Sequence, residues 1–180
     1  MLGIWLLADR DGLSDHPGRY FWLFLALLML HHFEELAFPG GVQCWLNETV
    51  FESPDPTRPF TDRRAFVNDV VFGWGAFALA AVVGTRLTWF AFIPMFVLAF
   101  DAWFHISYTV ASGRYSPGTV TALVLIAPIT FYAVTTFLER DLVSYGALTT
   151  AAVLALLADA GFFIALRWAR GRTPPARPAR

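Results

Sequence analysis

Five apolar stretches alternate with polar breaks along the chain, at about 19–36, 64–85, 87–111, 118–138 and 146–170. Each has roughly the 17–25 residues that carry a helix across a hydrocarbon core. Backbone groups without water must bond within their own segment, so these stretches are predicted as helices. The expected fold is all-α: a polytopic membrane protein, a bundle of about five transmembrane helices in one domain over 1–170.

The breaks are unequal. Thr85-Arg86 is nearly a direct turn, and Ser112 to Gly118 is a tight loop punctuated by Pro117-Gly118. The segment 37–63 is long and broken by Pro39-Gly40-Gly41 and Pro54-Asp55-Pro56. Connections of that length in compact proteins are often functional. Trp45, Leu46, Val50 and Phe51 suit a short amphipathic lid at the membrane interface. The tail 171–180 has no acid and three prolines, and is predicted to be disordered and basic.

Composition agrees with the pattern. The chain is 57% hydrophobic and 15% charged, against about 25% charged in an ordinary soluble domain. A net charge of −1 carries no nucleic-acid signature. A single cysteine, Cys44, excludes an internal disulfide framework and a thiolate zinc cluster. The start, Met1 to Ala8, lacks a basic region and turns acidic at Asp9, so it is not read as a signal peptide. Every basic residue is Arg. Placing the tail in the cytoplasm puts Arg58, Arg63, Arg64, Arg114, Arg167 and Arg170 on that side with it, and Arg10, Arg19, Arg86 and Arg140 outside. The positive-inside rule then predicts an outside N-terminus, a cytoplasmic C-terminus and a cytoplasmic loop 37–63. The expected location is a bacterial inner membrane.

Polar residues interrupt the apolar runs at one depth. His31, Glu34 and Glu35 share a helix face by i,i+3 and i,i+4 spacing, in the last two turns of the first span. Asn68 and Asp69 lie about one turn into the second. Asp101 and His105, four residues apart, lie near the end of the third, and Thr121 opens the fourth. At about 1.5 Å per residue these groups fall in one slab roughly 10 Å thick, with Asp159 of the fifth span deeper. Charge inside a membrane is costly and usually functional. A pocket open to the cytoplasm and roofed by the long loop is expected.

Imidazole and carboxylate donors without thiolate suit Zn, Fe or Mn. The metal candidates are His31, Glu34, Glu35 and His105, with Asp101 expected to accept the second ring proton of His105. Without a metal, Glu34 or Glu35 serves as a general base and Asn68 as an oxyanion donor. Asp69 and Thr121 are supporting residues. Taken singly, each group has a blander role: a helix end at the headgroup level, or an interhelical hydrogen bond. His32 points about 100° away from His31, as an interfacial or supporting residue. Asn47-Glu48-Thr49 matches a glycosylation sequon, a chance match on a cytoplasmic loop.

The ordered set His31-x-x-Glu34-Glu35, Asn68, His105 and Tyr115-x-Pro117-Gly118-x-x-Thr121 resembles the HXXEE family of integral membrane proteins. The resemblance covers most of residues 20–125 and implies that His31, Glu34, Glu35, Asn68 and His105 form one site. It supplies no substrate. Intramembrane glutamate proteases of the prenyl-protein type also pair glutamates with later histidines, but Pro39 and Asp101 stand where their motifs need Arg and Phe.

The leading functional expectation is a membrane enzyme, metal-dependent or acid/base, that hydrolyses or otherwise transforms a lipid-like substrate from the bilayer. The alternatives are a proton-coupled transporter or membrane binding protein, and a structural membrane protein.

Overall fold

The structure is a computed structural model and describes residues 17–170. The expected basic tail, 171–180, lies outside the described residues. Among the described residues there are six helices: α1 (Gly18–Leu36), α2 (42–50), α3 (Asp62–Val83), α4 (Thr88–Ser112), α5 (Thr119–Glu139) and α6 (Tyr145–Arg170). No strand occurs among the described residues.

Four of these, α3 to α6, are long and apolar enough to cross a membrane. Helix α1 has comparable length but carries Arg19, Glu34 and Glu35 at its ends. Outward faces bear large apolar side chains that a water-soluble protein would hide, among them Phe72, Val82, Trp103, Phe131, Leu157 and Ile164. The molecule is a multi-pass membrane protein.

Local sequence explains the helix ends and irregularities. Thr61 caps α3 by accepting the Arg64 N–H, and Gly113 ends α4 in the left-handed conformation that glycine tolerates best. Helix α5 is π-helical over Ala122–Ile126, just before Pro128. Proline has no N–H and clashes with the carbonyl four residues back, and the wider turn relieves both. Helix α3 is π-helical over Val67–Trp74, the stretch that carries Asn68 and Asp69.

Helix α4 is the centre of the bundle. Helices α1, α3 and α5 gather on one side of it, and α6 packs along its other side. Aromatic and aliphatic side chains fill the core, including Tyr20, Phe24, Phe92, Met95, Ile126 and Phe137. A smaller cluster of Leu46, Phe51, Phe60, Ala65 and Leu166 fastens the 37–61 segment to the ends of α3 and α6.

That segment is more ordered than the sequence suggested. It contains α2, α-helical over Val42–Trp45 and π-helical over Leu46–Val50. Leu46 and Phe51 are buried rather than laid on a membrane surface. The side chain of Asn47, fully buried, donates to the carbonyls of Pro56 (2.8 Å) and Phe60 (3.0 Å) and accepts the Phe60 N–H (2.8 Å). The sequon asparagine is therefore an internal pin. Asn47→Ala strips three buried hydrogen bonds, and is expected to lower stability in detergent by about 2–4 kcal/mol. Thermal unfolding checks this, and limited proteolysis should then cut first within 48–60.

Candidate functional site

Two adjacent glutamates on α1 have separate tasks. Glu34 reaches the start of α5. Its Oε1 accepts the Tyr115 hydroxyl (2.5 Å) and the Val120 N–H (2.9 Å), while Oε2 accepts the Thr121 N–H (2.7 Å). Residues at the start of a helix have N–H groups with no partner inside the helix, and that end is electropositive. The residue before α5 is Gly118, which has no side chain to cap with. Glu34 supplies the cap from another helix. Gly118 has φ +103°, and a Cβ there would lie 2.7 Å from the His31 ring. Only glycine lets this turn press so closely on the histidine. Burial and the Glu34 carboxylate raise the Tyr115 phenol to about 12, so it remains a donor.

Glu35 points the other way, into a ring of four residues. His31 Nε2 lies 2.9 Å from Asp101 Oδ2 and 3.6 Å from Glu35 Oε1. His105 Nε2 lies 3.0 Å from the same Glu35 oxygen and 3.6 Å from Asp101 Oδ1. All four ligand atoms fall within 4.8 Å of one another. Ligands held tetrahedrally at about 2.1 Å would stand about 3.4 Å apart. The four histidine–carboxylate spacings bracket that value.

The outer ring nitrogens fix the orientation. His31 Nδ1 is 2.7 Å from Thr121 Oγ1, whose own hydroxyl donates to the Gly118 carbonyl (3.2 Å). The threonine oxygen therefore accepts from Nδ1–H, which leaves the Nε2 lone pair facing the ring. His105 Nδ1 meets Ser116 Oγ at 2.6 Å, so its Nε2 also faces the ring. Two carboxylates and an imidazole lone pair aimed at one point repel each other unless positive charge stands among them. A divalent cation fills that need, and so do protons shared by both histidines. Both imidazoles are buried, but the Asp101 side chain is 41% exposed.

The exposure of Asp101 is toward a cavity of ≈ 830 Å³ between α3, α4 and α6. Trp45 of α2 covers one end, its indole 5.4 Å from the His105 ring. His32, Asn68, Asp69 and Asp159 also line it. Of the two roles expected for His32 the structure shows the supporting one: it is buried and accepts the Trp74 indole N–H at 2.9 Å. The Asp159 Oδ2 is buried without a hydrogen-bond partner.

Compared with the sequence-based set, His31, Glu35 and His105 converge. Asp101 joins them at ligand distance rather than standing behind His105, whose outer nitrogen is held by Ser116. Glu34 leaves the ligand set, occupied by three donors at or just before the start of α5. Asn68 and Asp69 hydrogen-bond each other (3.0 Å) across the cavity wall and do not join the ring. Thr121 holds His31, as a supporting residue should. Trp45, expected in the lid, covers the ring, while Ser116 and Gly118 join the site although no spacing marks them. Ser116 sits in a Ser-Pro-Gly turn that reads as punctuation, and nothing local marks it as a histidine partner.

A family model described as a protein of unknown function with HXXEE motif matches residues 22–133, more than half of the chain. No curated protein and no solved structure matches it.

The division between the glutamates is open to measurement. Glu34→Gln turns an amide N–H or a weaker acceptor toward the α5 N–H groups, and is expected to cost about 1–3 kcal/mol of stability. Glu35→Gln leaves the α5 cap intact and removes a partner of the two ring histidines, so its cost in metal-free buffer is expected to shrink as rising pH neutralises the imidazoles, while that of Glu34→Gln does not. Costs of the two variants that follow pH alike would contradict the assignment. The phenol gives a second test. Its raised pKa means its stabilising contribution is intact below about 10 and lost as pH rises through about 12. Alkaline unfolding of Tyr115→Phe should therefore show a smaller loss across that window than the parent.

Proposed function

The chain belongs to the HXXEE family, and from its site we propose a membrane-embedded metalloenzyme that acts on a lipid or lipid-like substrate. The carrying observation is the closed ring of His31, Glu35, Asp101 and His105, with spacings that suit a divalent cation. Two neutral imidazoles and two carboxylates would balance the charge of Zn, Fe or Mn in its divalent state. Such a cation would polarise a carbonyl or phosphoryl oxygen, or make a bound water acidic, and so support hydrolysis.

The chain's own residues have distinct parts. Thr121 and Ser116 hold the imidazoles by their outer nitrogens, so that Nε2 faces inward. Asp101, open to the cavity, is the ring member that meets a substrate first. Asn68 stands on the opposite wall and offers an amide to an oxygen of the bound molecule. Trp45 shields His105 from the interface.

The cavity favours a lipid. From Phe90 to His105 its wall follows sixteen residues of α4, about 22 Å of helix. The deep part is lined by Phe77, Phe90, Ile93, Pro94 and Val97, a sleeve for an alkyl chain. A proton-coupled transporter would need polar groups through that half, and the wall there has none. We place the protein in a bacterial inner membrane with α1 crossing as well. The described arginines bias the site's face, with Arg58, Arg63, Arg64, Arg114, Arg167 and Arg170, toward the cytoplasm.

Metal analysis of purified protein tests the reading. One Zn, Fe or Mn per chain is expected, falling below a tenth of that in His31→Ala/His105→Ala, each lost ligand costing roughly tenfold or more in affinity. Protein of unchanged helicity that retains no metal after loading in any of these ions would sink the metalloenzyme and leave the proton-filled ring.

A further inference from the structure

A second cavity, ≈ 800 Å³, lies beside the first, between the start of α3 and the end of α6. Its wall includes Arg58, Arg63, Arg64, Asn68, Phe162 and Trp168. Asn68, Phe72 and Phe162 line both cavities, so the two adjoin. Helix α6 packs on α4 and has no extensive contact with α3, which leaves the cleft between α3 and α6 unfilled by protein.

Charge along this cleft is graded. Three arginines stand at its mouth, the ring with Asp101 lies further in, and apolar side chains line the deep end. The arginines are only lightly engaged. Arg58 meets Asp55 at 3.8 Å with both side chains about half exposed, and Arg64 donates to the Pro59 carbonyl. Arg63 makes no ion pair among the described residues, and Asp62 is the acidic neighbour in the same helical turn. From Arg64 to Asn68 is four residues, about 6 Å along the helix.

We propose that this cleft binds an anionic phospholipid, with its phosphate against Arg58, Arg63 and Arg64 and one acyl chain in the apolar cavity. An arginine guanidinium presents paired donors to phosphate oxygens. The order of phosphate, then linkage, then chain matches the order of arginines, then ring, then sleeve. The proposal names the substrate class for the function above and rests on that reading for its chemistry. Binding itself needs no metal.

The probes are phosphatidylglycerol and phosphatidylcholine added to delipidated, metal-free protein in detergent, with bound lipid counted by native mass spectrometry. Phosphatidylglycerol is expected to bind at one per chain and well ahead of phosphatidylcholine. Arg63→Gln/Arg64→Gln should weaken it by roughly twenty-five-fold, two arginines at about fivefold each, and weaken phosphatidylcholine less, because its choline offsets the phosphate charge. Arg63→Gln alone, at an exposed residue without an ion pair, should weaken it about fivefold and serves if the double variant does not fold. Ala76→Phe, which fills the sleeve, should reduce binding of both lipids. Equal binding of the two lipids by the parent protein, undiminished binding by the arginine variants, or displacement by inorganic phosphate alone would overturn the proposal. His31→Ala/His105→Ala is expected to keep the lipid preference. Parent protein that holds no metal yet keeps the preference therefore sinks only the metal reading, and parent protein that holds metal but shows no preference sinks only this one.

Discussion

A carboxylate buried among membrane helices must be met by donors, and Glu34 is met by three. All three lie at or just before the start of α5, so the contact does more than satisfy an acid. It sets the height of α1 against α5. That height brings His31 level with Thr121, and it presses the Gly118 turn onto the imidazole. A shift of one residue on α1 would rotate Glu34 by about 100° and leave the N–H groups of Val120 and Thr121 facing apolar side chains. The staple therefore supports the site without belonging to it.

The ring depends on that alignment in turn. Asp101 and His105 come from one helix, four residues apart, and their mutual position follows from helix geometry alone. His31 and Glu35 are the same device on α1. Two such pairs, each an imidazole and a carboxylate one turn apart, face each other and interleave so that every histidine has a carboxylate on either side. Helix contact between α1 and α4 is otherwise slight, so packing does not explain why these residues meet. The outer contacts to Thr121 and Ser116 do. Both come from residues 116–121, and one short segment thus orients both imidazoles.

Much of this was legible in the sequence because membranes simplify the code. Apolar length gave the helices, and rise per residue gave the common depth of His31, Asn68, His105 and Asp101. Periodicity could not separate Glu34 from Glu35, since both share a helix face with His31 and only the neighbours decide which way each turns. The placement of Asp101 inside the ring was missed for a related reason: its i,i+4 relation to His105 suggests a partner of that histidine, while the close contact is to His31 on another helix. Asn47 and Ser116 were illegible as structural parts. Their partners are backbone carbonyls and a distant ring, which leave no trace in spacing.

The asymmetry of the bundle connects site to membrane. Helices α1, α3, α4 and α5 share a dense aromatic core, and the polar ring sits at the end of it. Helix α6 stands apart from α3, and the space left between them is where Asp101 is exposed and where Asp159 keeps an unpartnered oxygen. A bundle selected only for stability would close this gap, because buried void and an orphaned carboxylate both cost free energy. The gap instead runs from the arginines at one face, past the ring, to an apolar end. An open lateral cleft of that polarity is wasteful in a scaffold. In the role proposed, drawing a charged amphiphile from the bilayer, it would be the route by which the substrate reaches the ring.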